Sequence, residues 1–79
     1  MIKEHEEIVL ADDLPAYGLK QGDIGTVVYI HQGGEGYEIE FVTLDGETLA
    51  VATVNAHQVR RIGRNEIAQA RNVELPLAA

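Results

Sequence analysis

Strict alternation of apolar and polar residues marks the clearest element of the chain, the segment from Tyr37 to Phe41. A period of two is typical of a strand with one buried face. The pattern predicts that Tyr37, Ile39 and Phe41 point into a core, while Glu38 and Glu40 face water.

Four further runs of β-branched and aliphatic residues predict strands. They cover residues 6–10, 24–31, 49–54 and 59–62. Turn-forming sequences separate them: a glycine-rich hairpin tip at 32–36, the Asp45-Gly46 pair, and a short 3₁₀-like linker at 55–58.

The strand at 24–31 enters through the corner Gly22-Asp23-Ile24-Gly25, where glycine permits a tight turn. Its alternation places Ile24, Val28 and Ile30 on the core side. The preceding loop, residues 12–20, carries Leu14, Tyr17 and Leu19. These apolar side chains indicate that the loop packs over the domain.

Five short strands, consecutive hairpins and a long first loop predict an all-β protein, a small five-stranded antiparallel SH3-like barrel over residues 1–63. An OB-type barrel is the nearest competitor, but no helix fits between Val42 and Leu49. Residues 64–79 form a C-terminal tail, irregular or with a short helix at 65–72 capped by Asn65. An apolar stretch, 73–77, follows.

The 79 residues suffice for one domain. The net charge is −7, unevenly spread. Residues 1–59 hold eleven acidic residues against two lysines, a charge of −9, whereas residues 60–79 hold four arginines against two glutamates, a charge of +2. The acidic body repels a phosphate backbone and suits a basic protein partner.

The chain lacks the residues that several kinds of catalysis require. The chain has no cysteine and no serine, which excludes thiolate chemistry and a Ser-His-Asp triad. Its three histidines, His5, His31 and His57, sit on separate predicted elements without metal-ligand spacing. Glu38 and Glu40 share one solvent face and do not oppose each other across a cleft. We therefore expect no enzyme activity, no catalytic, cofactor-binding or metal-binding residues, and no cofactor.

The polar, acidic N-terminus does not read as a signal peptide, and no apolar run reaches the length of a membrane span. We therefore expect a cytoplasmic protein with no membrane partner. Three surfaces are candidates for partner binding: a groove between two tyrosines, an acidic strand face and a basic cluster. Their residues are Tyr17 and Tyr29; Glu38 and Glu40; and Arg60, Arg61 and Arg64, with Arg71 further along the tail.

Several motifs together resemble a widespread bacterial family of short stand-alone proteins, catalogued only as a domain of unknown function. They are Asp13-Leu14-Pro15, Tyr17-Gly18-Leu19, the corner with Gly25-Thr26-Val27-Val28, residues 37–42, and Leu44-Asp45-Gly46. The resemblance covers residues 2–62 and implies an SH3-like β-barrel. It implies no activity and no site residues.

Residues 22–28 are also similar to the Gly-Asp-x-Gly-x-Val corner of KOW-type elements, although KOW modules that bind RNA are usually basic. The expected function is an accessory or neutralising protein–protein interaction module, with the product of a neighbouring gene as its partner. The alternative is a KOW-like nucleic-acid-binding module that uses the C-terminal arginines. Self-association, through an edge strand or through residues 73–77, is compatible with both.

Overall fold

The computed structural model describes residues 1–75 and shows one antiparallel sheet of five strands. The strands are β1 (Glu7–Leu10), β2 (Ile24–His31), β3 (Gly36–Val42), β4 (Thr48–Asn55) and β5 (Val59–Arg61). Two 3₁₀ turns, Pro15–Tyr17 and Ala56–Gln58, are the only helical segments in this part of the chain. The all-β prediction is confirmed.

The strands lie in the order β4-β3-β2-β1-β5, so β4 and β5 form the two edges of the sheet. Within residues 1–75 these two edges do not pair with each other, and the hydrogen-bonded ladder stays open. The structure therefore supports the predicted five-stranded antiparallel sheet but not its closure into a barrel.

The inner face of the sheet forms one aliphatic core. Tyr37, Ile39 and Phe41 of β3 are all buried, as the alternation predicts. They pack with apolar residues of the other strands and of the first loop. These are Ile8, Leu10, Leu14, Leu19, Val27, Ala52, Val54 and Val59.

The prediction for the core side of β2 is wrong at two positions. A β-bulge between Val27 and Tyr29 interrupts the pairing with β3. Val27 is therefore fully buried, whereas Val28 is 39% exposed. Ile24 lies opposite Val9 of β1 and is not part of the core cluster, and of the three predicted residues only Ile30 packs against that cluster as expected.

The two glycines of the corner serve different purposes. Gly22 has a φ of 95°, a conformation that only glycine adopts without strain. At Gly25 an added Cβ would lie 2.5 Å from Cγ2 of Ile39 and 2.8 Å from Cε1 of Phe41. Gly25 therefore lets β2 approach the core side chains of β3 closely.

The first loop packs on the domain as predicted. Leu14 and Leu19 bridge to each other through two backbone hydrogen bonds of 2.9 and 3.1 Å, and both are buried. The 3₁₀ turn Pro15–Tyr17 lies between them and leaves Tyr17 40% exposed.

Residues 64–75 of the C-terminal tail are irregular, and the alternative of a short helix at 65–72 is not realised. A helix of two turns is marginal without packing. Here Glu66 and Arg71 instead form ion pairs with Arg60 and Asp23, which hold the tail against the sheet. The last two residues of the predicted apolar stretch, Pro76 and Leu77, lie outside the described residues.

Candidate binding surfaces

The outer face of the long strands brings together three of the candidate residues. Tyr29 pairs with Glu38 across β2 and β3, and Glu40 pairs with Val51 across β3 and β4. Val42 follows on the same side of β3. We call this surface, which comprises Tyr29, Glu38, Glu40, Val42 and Val51, the outer-face patch.

Neighbouring side chains hold the carboxylate of Glu38 in place. It lies 2.6 Å from Nε2 of His31, and its two oxygens lie 2.8 and 2.9 Å from the Thr53 hydroxyl, which donates its one proton to the carboxylate. These contacts lower the pKa of Glu38, and the contact with His31 has the larger effect. The His31 ring also meets the Tyr29 ring edge-on, with centroids 4.9 Å apart.

Glu40 is anchored in a similar way, since it accepts a hydrogen bond of 2.9 Å from the hydroxyl of Thr48. Around the two carboxylates, Tyr29 is 53% exposed, and Val42 and Val51 are each 50% exposed. The outer-face patch thus combines positioned negative charge with accessible apolar area. Such a mixture is common where one protein contacts another.

The arginines of the basic cluster are largely engaged by acidic residues. Arg60 donates two hydrogen bonds to Glu66, at 2.8 and 2.6 Å. The Arg60 guanidinium and the Gly63 amide lower the pKa of Glu66 to about 2. Nε of Arg61 lies 2.9 Å from a carboxylate oxygen of Glu6.

Arg64 is exposed and forms no ion pair within residues 1–75. Strand β5, which carries Arg60 and Arg61, lies at the opposite edge of the sheet from β4. The basic residues and the outer-face patch are therefore separate surfaces. For the predicted groove between two tyrosines, the structure places Tyr17 on the first loop and Tyr29 on β2. The Tyr29 ring contacts the ring of His31.

Asp23, in the corner before β2, binds the tail. Nε of Arg71 donates to Oδ1 of Asp23 at 2.9 Å, and a second Arg71 N–H donates to Oδ2. The backbone amide of Lys20 also donates to Oδ2, at 2.8 Å. Burial opposes ionisation of Asp23, but the bonds from Arg71 and Lys20 outweigh it and lower its pKa.

The tail crosses between two clefts. The smaller, of about 370 Å³, lies over Val9, Ile24 and Ile62. The larger, of about 750 Å³, lies between the corner, the β3–β4 turn and the tail. We call the larger one the apolar cleft. Its apolar lining includes Leu19, Ile24, Phe41, Leu44, Leu49, Val73 and Leu75.

Sequence reasoning missed the pairing of Asp23 with Arg71. Asp23 was visible in the corner motif and Arg71 in the tail, but no spacing rule connects positions 48 apart. Within residues 1–75, no group of three histidine or acidic side chains is arranged to hold a metal ion. In the same range, no helix is long and apolar enough to cross a membrane.

Together the fold and its surfaces define a small acidic all-β protein with an open five-stranded sheet and a tail folded back onto it. The family model described as "Domain of unknown function (DUF4926)" matches residues 4–61, and the chain belongs to this family. No curated protein and no solved structure matches the chain. The tail beyond Arg61 lies outside the matched region.

Proposed function

We propose that this chain is a non-enzymatic SH3-like barrel that works by contact with another protein. Its role would be that of an accessory or neutralising subunit in the cytoplasm of a bacterial cell. The product of a neighbouring gene is the first partner to test.

The strand order supports the barrel. Strands β1 and β5 pair at one edge, and β2, β3 and β4 form a meander at the other. A 3₁₀ turn, Ala56–Gln58, leads directly into β5, and a long packed loop joins β1 to β2. This arrangement suits two short sheets that share β2 and fold towards each other.

The observation that carries the proposed interaction is the outer-face patch. Glu38 and Glu40 are fixed by hydrogen bonds from threonines on β4, so little side-chain freedom is lost when a partner binds them. Tyr29, Val42 and Val51 provide exposed apolar area beside them. A basic, partly apolar surface on the partner complements this arrangement.

Affinity capture from the native host tests the proposal with a matched pair of variants. Glu40→Lys reverses a charge inside the outer-face patch, and Glu47→Lys makes the same change in the exposed β3–β4 turn. We expect the wild type and Glu47→Lys to retain one stoichiometric protein that Glu40→Lys loses. Equal recovery with both variants, or no stoichiometric protein, would contradict the proposal.

Nucleic-acid binding through the KOW-like corner and the arginines is the alternative. It receives less support, because Arg60, Arg61 and Arg71 are paired with carboxylates. A fluorescence titration with RNA and DNA at low salt separates the two functions, since phosphate contacts are strongest there. Saturable binding under those conditions would favour the alternative.

Self-association has one specific observation in its favour. Strand β4 is an edge of the sheet, and its eight residues include no charged side chain and no proline. Such an edge can pair with a strand of a second copy. Light scattering of Val51→Lys, which places a charge on β4, would show whether this edge joins copies of the chain.

A further inference from the structure

We propose that residues 68–75 occupy, within the same molecule, the site at which an extended segment of a partner protein binds. The recognised segment carries an arginine followed by apolar residues two and four positions later, as Arg71, Val73 and Leu75 do. This inference rests on the proposed function and assigns it a second surface, which adjoins the outer-face patch at Val42.

Asp23 is the anchor of the site. Its carboxylate is positioned by the Lys20 amide, and its side chain is 19% exposed. A guanidinium can approach both of its oxygens, as Arg71 does. Planar two-point recognition of a carboxylate is a property of arginine that lysine lacks.

The apolar cleft lies beside this anchor. The domain supplies Leu19, Ile24, Phe41 and Leu49 as walls, and the tail borders the cleft with Val73 and Leu75. Val73 is half-buried and Leu75 is 42% exposed, so the tail fills the cleft only in part. A segment with larger apolar residues at these two positions would bury more area.

The tail is also held by few contacts. Residues 64–72 are all exposed, Ile67 reaches 93% exposure, and the segment forms no strand or helix. Within residues 1–75 its side-chain hydrogen bonds to the domain are the ion pairs of Arg71 with Asp23 and of Glu66 with Arg60, a bond of 3.4 Å from Arg71 to the Gly18 carbonyl, and the bond from the Gly63 amide to Glu66. A segment held in this way can be displaced.

The residues of the site and those of the tail also divide along the family boundary. Asp23 and the cleft walls lie within the matched residues 4–61, and the tail lies outside them. The charge is concentrated on the same side of this boundary, because residues 1–61 carry −7, whereas the two arginines and two glutamates of residues 62–79 cancel. The acidic domain therefore favours an arginine beside Asp23, whether it is Arg71 of the tail or an arginine of a partner segment.

The test is an NMR titration of the full ¹⁵N-labelled chain with a synthetic peptide of residues 66–75. In the wild type the attached tail competes at an effective concentration in the millimolar range. We expect the Arg71→Ala chain to bind the peptide at least fivefold more tightly than the wild type does, with shifts at Asp23 and Phe41. An Arg64→Ala chain should bind as the wild type does.

Two further titrations test the chemistry of recognition. The reference is the binding of the unchanged peptide to the Arg71→Ala chain. We expect binding at least tenfold weaker when the peptide has alanine in place of Arg71. We expect the same loss when the Arg71→Ala chain also carries Asp23→Asn. Equal binding by the wild-type and Arg71→Ala chains, or equal binding by both peptides, would overturn the inference. The spectra show directly whether each variant is folded, and Arg71→Lys provides a milder release of the tail.

Failure here is distinguishable from failure of the proposed function. If the peptide does not bind while capture from the host still depends on Glu40, the tail does not mark a binding site but the interaction role stands. If the peptide binds as expected and capture yields no partner, the site is supported and the accessory role is contradicted.

Discussion

Arg71 binds Asp23 across 48 positions of sequence, with 2.9 Å between Nε and Oδ1. The contact joins the C-terminal tail to the corner that opens strand β2. Arg71 is also within hydrogen-bonding reach, at 3.4 Å, of the carbonyl oxygen of Gly18 in the first loop. One side chain thus connects the tail with the corner and with the first loop.

This contact predicts a selective change in proteolysis. Trypsin cleaves after arginine, and the Asp23 pair protects Arg71 while Arg64 stays accessible. In Asp23→Asn we expect cleavage after Arg71 to accelerate several-fold. Cleavage after Arg64 in the same sample is the internal control and should not change. Mass spectrometry of the fragments gives both rates, and equal acceleration at the two sites would indicate general loosening instead.

The ion pairs of the tail also predict that its attachment to the domain depends on pH. The pKa of Glu66 falls from its ordinary value of 4.5 to about 2, and that of Asp23 falls below 3.8. A carboxyl whose pKa is lower in the folded state than in the unfolded state stabilises the fold at pH values above the unfolded-state pKa. This contribution is lost as the pH falls through the folded-state pKa. The tail should therefore stay attached above pH 4.5 and detach between about pH 4.5 and pH 2.

Carbon-detected NMR of the Glu66 carboxyl measures this directly. The titration midpoint should lie near pH 2 in the wild type and return towards 4.5 in Arg60→Ala, where the principal hydrogen-bond donor is lost. A midpoint of 4.5 in both proteins would show that Arg60 does not hold Glu66 in solution.

The bulge in β2 buries one of two adjacent valines and exposes the other. Val27 is fully buried, so Val27→Ala should lower the free energy of unfolding by about 2 kcal/mol through lost burial and the cavity left behind. Val28 is 39% exposed, and Val28→Ala should cost less than about 1 kcal/mol. Urea denaturation measures both, and a larger loss at Val28 would place the bulge elsewhere.

Gly25 should not tolerate even a methyl group. An added Cβ would overlap Ile39 and Phe41, and overpacking of this kind typically costs about 1–3 kcal/mol. Gly63→Ala is the comparison, because its Cβ would meet only the flexible end of Glu66. We expect Gly25→Ala to lower the urea midpoint clearly and Gly63→Ala to leave it nearly unchanged.

Local patterns in the sequence predict most of the sheet but not its irregularities. The alternation in β3 places Tyr37, Ile39 and Phe41 correctly because no bulge interrupts that strand before Phe41. The same reasoning fails in β2, where one extra residue reverses the faces before and after Val28. Nothing in a run of β-branched residues indicates where such a bulge falls.

The candidate binding surfaces divide in the same way. The acidic outer face follows from alternation alone, so Glu38 and Glu40 could be predicted. The ion pair of Asp23 with Arg71 could not, because only tertiary folding brings the tail residue near the corner. The ion pair of Arg60 with Glu66 could not be predicted either. In the sequence Arg60 belongs to a basic cluster, but in the structure its charge is paired with a carboxylate.

The central claim is that this chain acts by binding another protein, and its size in a fresh lysate of its host tests that claim most directly. Gel filtration followed by detection of the untagged chain should place it in a complex well above its own mass of 8.6 kDa, together with one other polypeptide in equal amount. Elution as an 8.6 kDa monomer, or in an assembly that contains only copies of this chain, would contradict it.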